Sequence, residues 1–443
     1  MKIEPFPVLS GAFKQTFHME IRFLFPTRWL SPVFLILFVA LWAARADQDA
    51  GQVPPPANPP VVSGDADTES EADWKFMTLL SSSVTYDDNI FIQPSHGKED
   101  TYVHLAPTLA YGLGSFRSEL AAFAPIPHFL VRTGEEELPW RDFAYASYTP
   151  DVVLFSKYHH EDAVNHDLKL AAQKERDLWN VNGDFHFQTQ SDPVIDVGRR
   201  IDQTYYTANL GAAYMISGKL TGGAKLYGNR SDYSGGLSST DGRATGYMDY
   251  QIAPKTSLGL GIAGGRLDVG KGANQNYEQT LLQIQYAPTA KLYFNGQAGE
   301  EFREFDSTVS NQSQFVFDLN GSFNPTDSTA FTLTSQRETQ SSAEYAGEDI
   351  VQSVYQGGVR QRFLQRLYLS ANGGLVHDNY ERNEPSAAIA RRDDYYFYKI
   401  SSSCDVTRRG TLQLSYEHRK NDSSVAAFGF AENLVSFAAS FLF

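Results

Sequence analysis

The sequence predicts an all-β chain, folded as a transmembrane antiparallel up-and-down β-barrel of about 18 strands, within a range of roughly 16–20. Three observations carry that expectation. Apolar residues recur with a period of two from about residue 74 to the end, tight turns alternate with longer polar connections, and a secretory leader stands before both.

The leader comes first. Arg22 to Arg28 form a basic flank, Val33 to Trp42 an apolar run, and Ala44-Arg45-Ala46 a small-x-small cleavage site. A run of this length fits a signal peptide over residues 1–46, whereas a spanning helix needs about 20 apolar residues. Met19 is an alternative start, since the residues before it add nothing to the signal. Residues 47–73 follow, with Pro54-Pro55-Pro56, Pro59-Pro60 and seven acidic residues without a Lys or Arg. Such a segment cannot bury a core, and it reads as a Pro-rich acidic periplasmic linker. The barrel is expected over 74–443.

Composition narrows the rest. The 443 residues are 42% hydrophobic, 13% aromatic and 20% charged, which is too apolar for a disordered chain. Only one long apolar run exists, so a bundle of membrane helices is excluded. The lone Cys404 excludes an internal disulfide, a four-cysteine zinc site and an iron–sulfur cluster. The formal charge of −15 has the wrong sign for nucleic acid as a partner. Removing the leader makes it about −18.

The alternation is clearest in a few segments. Phe315, Phe317, Leu319, Gly321 and Phe323 share one face of a strand, with Gln314, Asp318, Asn320 and Ser322 on the other. Leu292, Phe294, Gly296 and Ala298 alternate likewise, as do Leu412, Leu414 and Tyr416. Ala253-Pro254-Lys255-Thr256, Ala287-Pro288-Thr289-Ala290 and Asn324-Pro325-Thr326-Asp327 each separate two such runs as tight turns. The opposite connections are longer and polar, as in a transmembrane barrel. Strands are expected from 74–91 and 101–112 through 244–253 and 290–304 to 409–420 and 430–443. Residues 115–142, with Pro125, Pro127, Pro139 and Glu135-Glu136-Glu137, are expected as an insertion at the periplasmic end. Tyr205, Tyr206, Tyr395, Tyr396 and Tyr398 are placed in interfacial girdles.

Two stretches carry a family resemblance. Val84-Thr85-Tyr86-Asp87-Asp88-Asn89-Ile90-Phe91, with Asp100 and His104 to Tyr111, resembles the opening hairpin of the putative beta-barrel porin type 2 family. Arg392-Asp393-Asp394-Tyr395, Tyr416-Glu417-His418-Arg419 and Asn433-Leu434-Val435 up to Phe443 are similar to that family's closing hairpin. The resemblance implies a Gram-negative outer-membrane barrel, in a family with porins and with members linked to exopolysaccharide loci. It brings no catalytic residues. The last strand, with Phe437, Phe441 and terminal Phe443, resembles the signal read by the barrel assembly machinery, which implies that machinery and periplasmic chaperones as partners.

Chemical motifs are few. Gly259-Leu260-Gly261-Ile262-Ala263-Gly264-Gly265 lacks the strand–turn–helix setting of a phosphate loop and reads as a strand. His159-His160-Glu161-Asp162 with His166 lacks a spaced ligand set and reads as a solvated loop. His186, His377, His418, Asp378 and Ser415 show no spacing that would bring them together, so neither an enzyme, a metal site nor a cofactor is expected. The residues expected to matter are lumen charges: Lys169, Asp184, Lys225, Lys291, Glu301, Arg303, Asp318, Lys399, Glu417 and Arg419. On a lipid face near mid-membrane a Lys or Arg would cost about 2–4 kcal/mol. The expected function is a porin of the cell outer membrane, bounded by its lipid and passing small polar solutes. The alternatives are a barrel that guides exported polysaccharide along Tyr227, Tyr293 and Tyr368, and a secreted β-sheet adhesin without a pore.

Overall fold

The computed structural model describes residues 75–114, 142–270, 272–289, 291–306, 311–364, 366–382, 391–407 and 409–443. The leader, the linker and the insertion expected over 115–142 lie outside the described residues, apart from Asp142.

Eighteen strands run in chain order: β1 (Lys75–Asp87), β2 (Asp100–Gly114), β3 (Phe143–Phe155), β4 (Ala163–Arg176), β5 (Trp179–Val194), β6 (Arg199–Ser217), β7 (Leu220–Tyr233), β8 (Ser239–Ala253) and β9 (Thr256–Val269). They continue as β10 (Gln275–Thr289), β11 (Leu292–Phe305), β12 (Gln312–Thr326), β13 (Thr329–Ser341), β14 (Glu348–Phe363), β15 (Leu367–Arg382), β16 (Arg392–Asp405), β17 (Gly410–Ser423) and β18 (Phe430–Leu442). Each pairs antiparallel with its chain neighbours, and β1 pairs with β18, so the sheet closes on itself. Closure is what lipid demands, because hydrocarbon offers no partner to a free backbone N–H or C=O. At the closing seam Leu79 faces Leu442 and Asp87 faces Leu434, and Thr85 Oγ1 meets Ser436 Oγ at 2.6 Å.

Following the pairing register once round the ring returns to β1 displaced by about 22 residues, the stagger that sets strand tilt. With 18 strands this corresponds to a tilt of roughly 43° and a backbone diameter of roughly 34 Å. Setting aside the β2–β3 connection, which lies almost wholly outside the described residues, turns at the end that holds the C-terminus span two to four residues, such as 254–255 between β8 and β9. Connections at the other end reach twelve, over 88–99.

Alternation sorts each strand into two faces. On β9, Leu258, Leu260 and Ile262 are exposed outside while Ala263 and Leu267 are buried inside. The outward residues from Thr256 to Gly264 carry no charge, and Arg266 and Asp268 follow. The ten steps from Thr256 to Arg266 rise roughly 24 Å at this tilt, the height of a bilayer's apolar band. The inner face of β9 is nearly bare, so neighbouring side chains lie across it. A Cβ at Gly265 would sit 2.3 Å from the Tyr277 ring, and one at Gly261 2.9 Å from the Gln283 amide. Gly259 to Gly265 is thus plain strand.

Several strands run longer than the apolar pattern implied. β8 begins at Ser239 rather than 244, and β5 and β6 extend to Val194 and from Arg199. The hydrogen-bond ladder continues above the lipid, where both faces meet water and alternation has no cause. β1 instead stops at Asp87, where the Asn89 N–H donates to Asp87 Oδ1 at 2.7 Å and turns the chain.

Candidate functional site: the lumen and its mouth

The register places inward residues strand by strand. Along β16, β17 and β18 inward charges form one connected chain. Lys399 Nζ lies 3.1 Å from Glu417 Oε2, Arg419 Nε 2.6 Å from Glu417 Oε1, and Arg419 Nη1 3.4 Å from Glu432 Oε2. A second cluster crosses β10 and β11. There Arg303 Nε donates to Glu301 Oε1 at 2.6 Å and Nη1 to Gln275 Oε1 at 2.7 Å, while its guanidinium lies 4.8 Å from the Tyr277 ring centre. Glu301 also accepts from Gln279 at 2.6 Å. Both charges are buried, and the pairing offsets their desolvation.

The other charges singled out from the sequence are more dispersed. Lys169 sits 3.4 Å from Asp167, Asp184 accepts from Asn209 at 2.9 Å, Lys225 lies 5.5 Å from the Tyr247 ring centre, and Asp318 accepts from Asn320 at 2.9 Å. Lys291 departs from expectation. It stands in the turn before β11, and its ammonium donates to the Pro325 carbonyl at 2.8 Å, so it links two turns at the short-turn rim. The strand begins at Leu292, two residues later than the expected 290. Tyr227 and Tyr368 face inward with Arg243 and Arg360 over them, at 4.9 and 5.2 Å.

The girdle assignment needs correcting. Tyr206, Tyr396 and Tyr398 are exposed on the outer face, but Tyr395 is buried inside and Tyr205 hydrogen-bonds inward to Gln203. Adjacent strand residues point to opposite faces, so a Tyr-Tyr pair cannot place both rings in lipid. The same parity separates His377 and His418, which point outward, from Asp378 and Ser415, which point inward. His160 meets Glu161 at 3.2 Å in a short 3-10 turn, and among the described residues no three His, Cys, Asp or Glu side chains gather as metal ligands.

The mouth at the long-loop end was not foreseen. The β5–β6 hairpin tip, 195–198, reaches residues from the far side of the ring. Arg391, just before β16, donates through Nη1 to the Asp196 carbonyl at 2.7 Å and through Nη2 to the Ile195 carbonyl at 2.9 Å. Its guanidinium also pairs with Asp393 and lies 3.5 Å from the Phe428 ring centre and 4.6 Å from that of Tyr380. Asp196 in turn accepts from the Ala343 N–H at 2.6 Å and Ser342 Oγ at 3.0 Å, in the loop between β13 and β14. Burial pushes the Asp196 carboxyl above the usual aspartate value, against the opposing pull of the Ala343 N–H and Arg391. Beside this bridge Ile92, Tyr395, Phe397 and Phe430 form an apolar cluster, so the upper lumen is partly filled and is not polar throughout. Short tips such as Ile195-Asp196 leave no periodic signal, and the spacing of Arg391 and Asp393 by two residues is the local feature that could point to the mouth.

A closed barrel with an apolar outer band and charged inner wall defines a porin-like outer-membrane β-barrel. Residues 302–441 match the family model described as Putative beta-barrel porin 2, which covers the closing stretch of the chain and not its opening hairpin. Among solved structures, the chain resembles Pseudomonas aeruginosa OpdK with vanillate at 11% identity and a TM-score of 0.42, covering 83% of this chain and 99% of that one. It also resembles Pseudomonas aeruginosa OpdQ at 12% identity and a TM-score of 0.44, covering 84% and 99%. Acinetobacter baumannii OccAB4 is similar at 12% identity and a TM-score of 0.42, covering 86% and 100%. No curated protein sequence matches the chain.

Proposed function

We propose that the barrel is a porin, giving small polar solutes passive passage through its lumen. The observation that carries this reading is the sorting of one wall into two surfaces: Leu260, Ile262 and Phe315 outside, Lys399, Glu417, Arg303 and Glu301 inside. Passage needs no reaction, only polar groups to replace part of a solute's hydration. Lys169, Asp184, Lys225, Asp318 and Arg419 complete the lining, with Lys291 at the lower rim. Both signs occur, so selectivity comes from local pairs of charges and not from a single-sign filter. No catalytic role is assigned.

The bridged mouth favours small solutes over a polymer, since a polysaccharide would have to displace Arg391 and Asp196 together. Outward Phe437, Phe441 and Phe443 serve as the assembly signal for the barrel machinery and its chaperones, and residues 1–46 and 47–73 as leader and tether. The test is single-channel recording of the purified protein in planar bilayers. Stepwise conductance, altered in ion preference by Asp184→Lys or Lys225→Glu, is expected. A folded, heat-modifiable protein that never conducts would remove the porin reading.

A further inference from the structure

The wall is incomplete in one place. Pairing between β12 and β13 begins at Phe317↔Arg337, although β12 starts at Gln312 and β13 runs on to Ser341. Above that level β13 and β14 stay paired to Ser341↔Asp349 and turn inward as a unit. Glu348, Asp349, Ile350 and Val351 are consecutive and all buried, which a strand in a single-layer wall cannot achieve because alternate side chains would face out. Gln275 Nε2 donates to Asp349 Oδ1 at 2.7 Å and Arg303 Nη2 to the Thr339 carbonyl at 3.1 Å, fixing the hairpin against β10 and β11.

The inward turn leaves a cleft of about 330 Å³ open at the seam, lined by Gln312, Ser313, Gln314, Phe315, Arg337 and Glu381. That volume suits one small ring-sized group. Its level follows from β11, where Glu300 pairs with Phe315 and Glu304 shares the outer face four residues on, two charges that mark the polar edge of the apolar band. Phe315 stands at the lip, 51% exposed on the lipid side. The polar set is mixed. Arg337 uses Nη1 on Ser353 at 3.0 Å, Glu381 accepts from Gln314 at 2.9 Å, and Gln312 Oε1 is buried with no hydrogen-bond partner among the described residues.

We propose that this seam binds a saccharide headgroup of an outer-leaflet glycolipid. Hydroxyl groups both donate and accept, so they suit a site that offers a guanidinium, a carboxylate and two amides side by side. The C–H face of a sugar ring packs on Phe315. A phosphate fits poorly, because the single Arg337 is matched by Glu381. The opening on the lipid side and its level favour a lipid-borne sugar over a dissolved one.

Native mass spectrometry of the full detergent-solubilised barrel tests this with three probes: rough lipopolysaccharide, phosphatidylglycerol and free methyl glucoside. Retention of the lipopolysaccharide is expected, at least tenfold weaker in Glu381→Gln and Arg337→Gln, with single-channel conductance unchanged. Heat-modifiable migration verifies that both variants fold, and Phe315→Leu is a milder variant expected to lose about threefold. Equal retention by wild type and folded variants overturns the proposal. Equal retention of phosphatidylglycerol would mean a general anionic lipid site, and methyl glucoside held as well as the glycolipid would mean a soluble ligand; either overturns it too. Loss of conductance alone would bear on the porin reading and leave the seam intact.

Discussion

Arg391 and Asp196 meet across the mouth of the barrel, the Arg391 Nη1 donating to the Asp196 carbonyl at 2.7 Å although their hairpins lie eight to ten strands apart around the ring. A ring of 18 tilted strands is too wide for neighbouring loops to cover by length alone. Two hairpins extended beyond the lipid, β5–β6 and β13–β14, supply the reach, and Arg391 ties their tips to the base of β16. The guanidinium suits the place because five fixed donors can serve two carbonyls and a carboxylate while its faces pack on Tyr380 and Phe428.

Arg391→Ala should therefore open the mouth. It removes the donors to Ile195 and Asp196 and the stacked contact together, leaving buried Asp393 with the Asn421 amide at 3.4 Å but without its cation. We expect single-channel conductance to rise about twofold and loop-specific proteolysis to quicken, with barrel migration on gels unchanged. Arg391→Lys should recover little, since an ammonium cannot serve that geometry. Equal conductance in wild type and Arg391→Ala would place the constriction elsewhere.

The same bridge should respond to pH. Asp196 faces Arg391 and the Ser342–Ala343 loop in the closed mouth, with Tyr380, Asp378 and Asp393 nearby, and burial raises its pKa there. In an opened mouth it would titrate near the ordinary value of about 3.9. The closed form thus binds more protons, and closure gains as pH falls through the raised value toward the ordinary one. Channel recordings taken stepwise from pH 7.5 to 4.5 should show conductance declining, and Asp196→Asn should flatten that decline. A decline of the same size in Asp196→Asn would assign the effect to another group.

The sequence made the membrane wall readable and the mouth unreadable, and one cause lies behind both. Where one face meets lipid and the other water, each residue is sorted by solvent, and Leu258, Leu260 and Ile262 against Gly259, Gly261 and Ala263 announce the strand. Of the Pro-containing turns, 254–255 joins its strands where expected, whereas β10 and β12 run on through Pro288 and Pro325 to Thr289 and Thr326, with a register irregularity at each. Above the lipid that sorting ends, so the first residues of β8 and the tips of β5 and β14 carry no period. Lys399, Glu417 and Arg419 could be placed inside by parity because each lies two residues from an inward neighbour or opposite one. Arg391 could not, since its partner Asp196 is distant in sequence and no local rule joins them.

Buried charge inside the wall makes a stability prediction. Arg303→Met leaves Glu301 buried with its closest cation gone and Gln275 Oε1 without its donor. Breaking a buried pair from one side costs about 3–5 kcal/mol. The midpoint of urea unfolding in lipid vesicles should fall accordingly. Glu301→Gln added to Arg303→Met should restore a large part, because the neutral amide can still meet Gln279 without an orphaned charge. A double variant no more stable than Arg303→Met would show that packing on Tyr277, not charge, carries the effect.

The lipid-facing assignment can be tested one residue at a time on β9, because its two faces differ so sharply. Leu260 is 49% exposed on the outer face in the middle of the uncharged band, and Ala263, 2% exposed, lies inside. Leu260→Arg puts a guanidinium into hydrocarbon and should cost about 2–4 kcal/mol in vesicles. Thr256→Arg, at the lower end of the same outer row, should cost about 0–1 kcal/mol, since the side chain reaches the interface. Depth alone separates the two substitutions, so their difference measures where the hydrocarbon lies. Equal costs at both positions would mean that this face meets water, and the band from Thr256 to Gly264 would then not mark the bilayer.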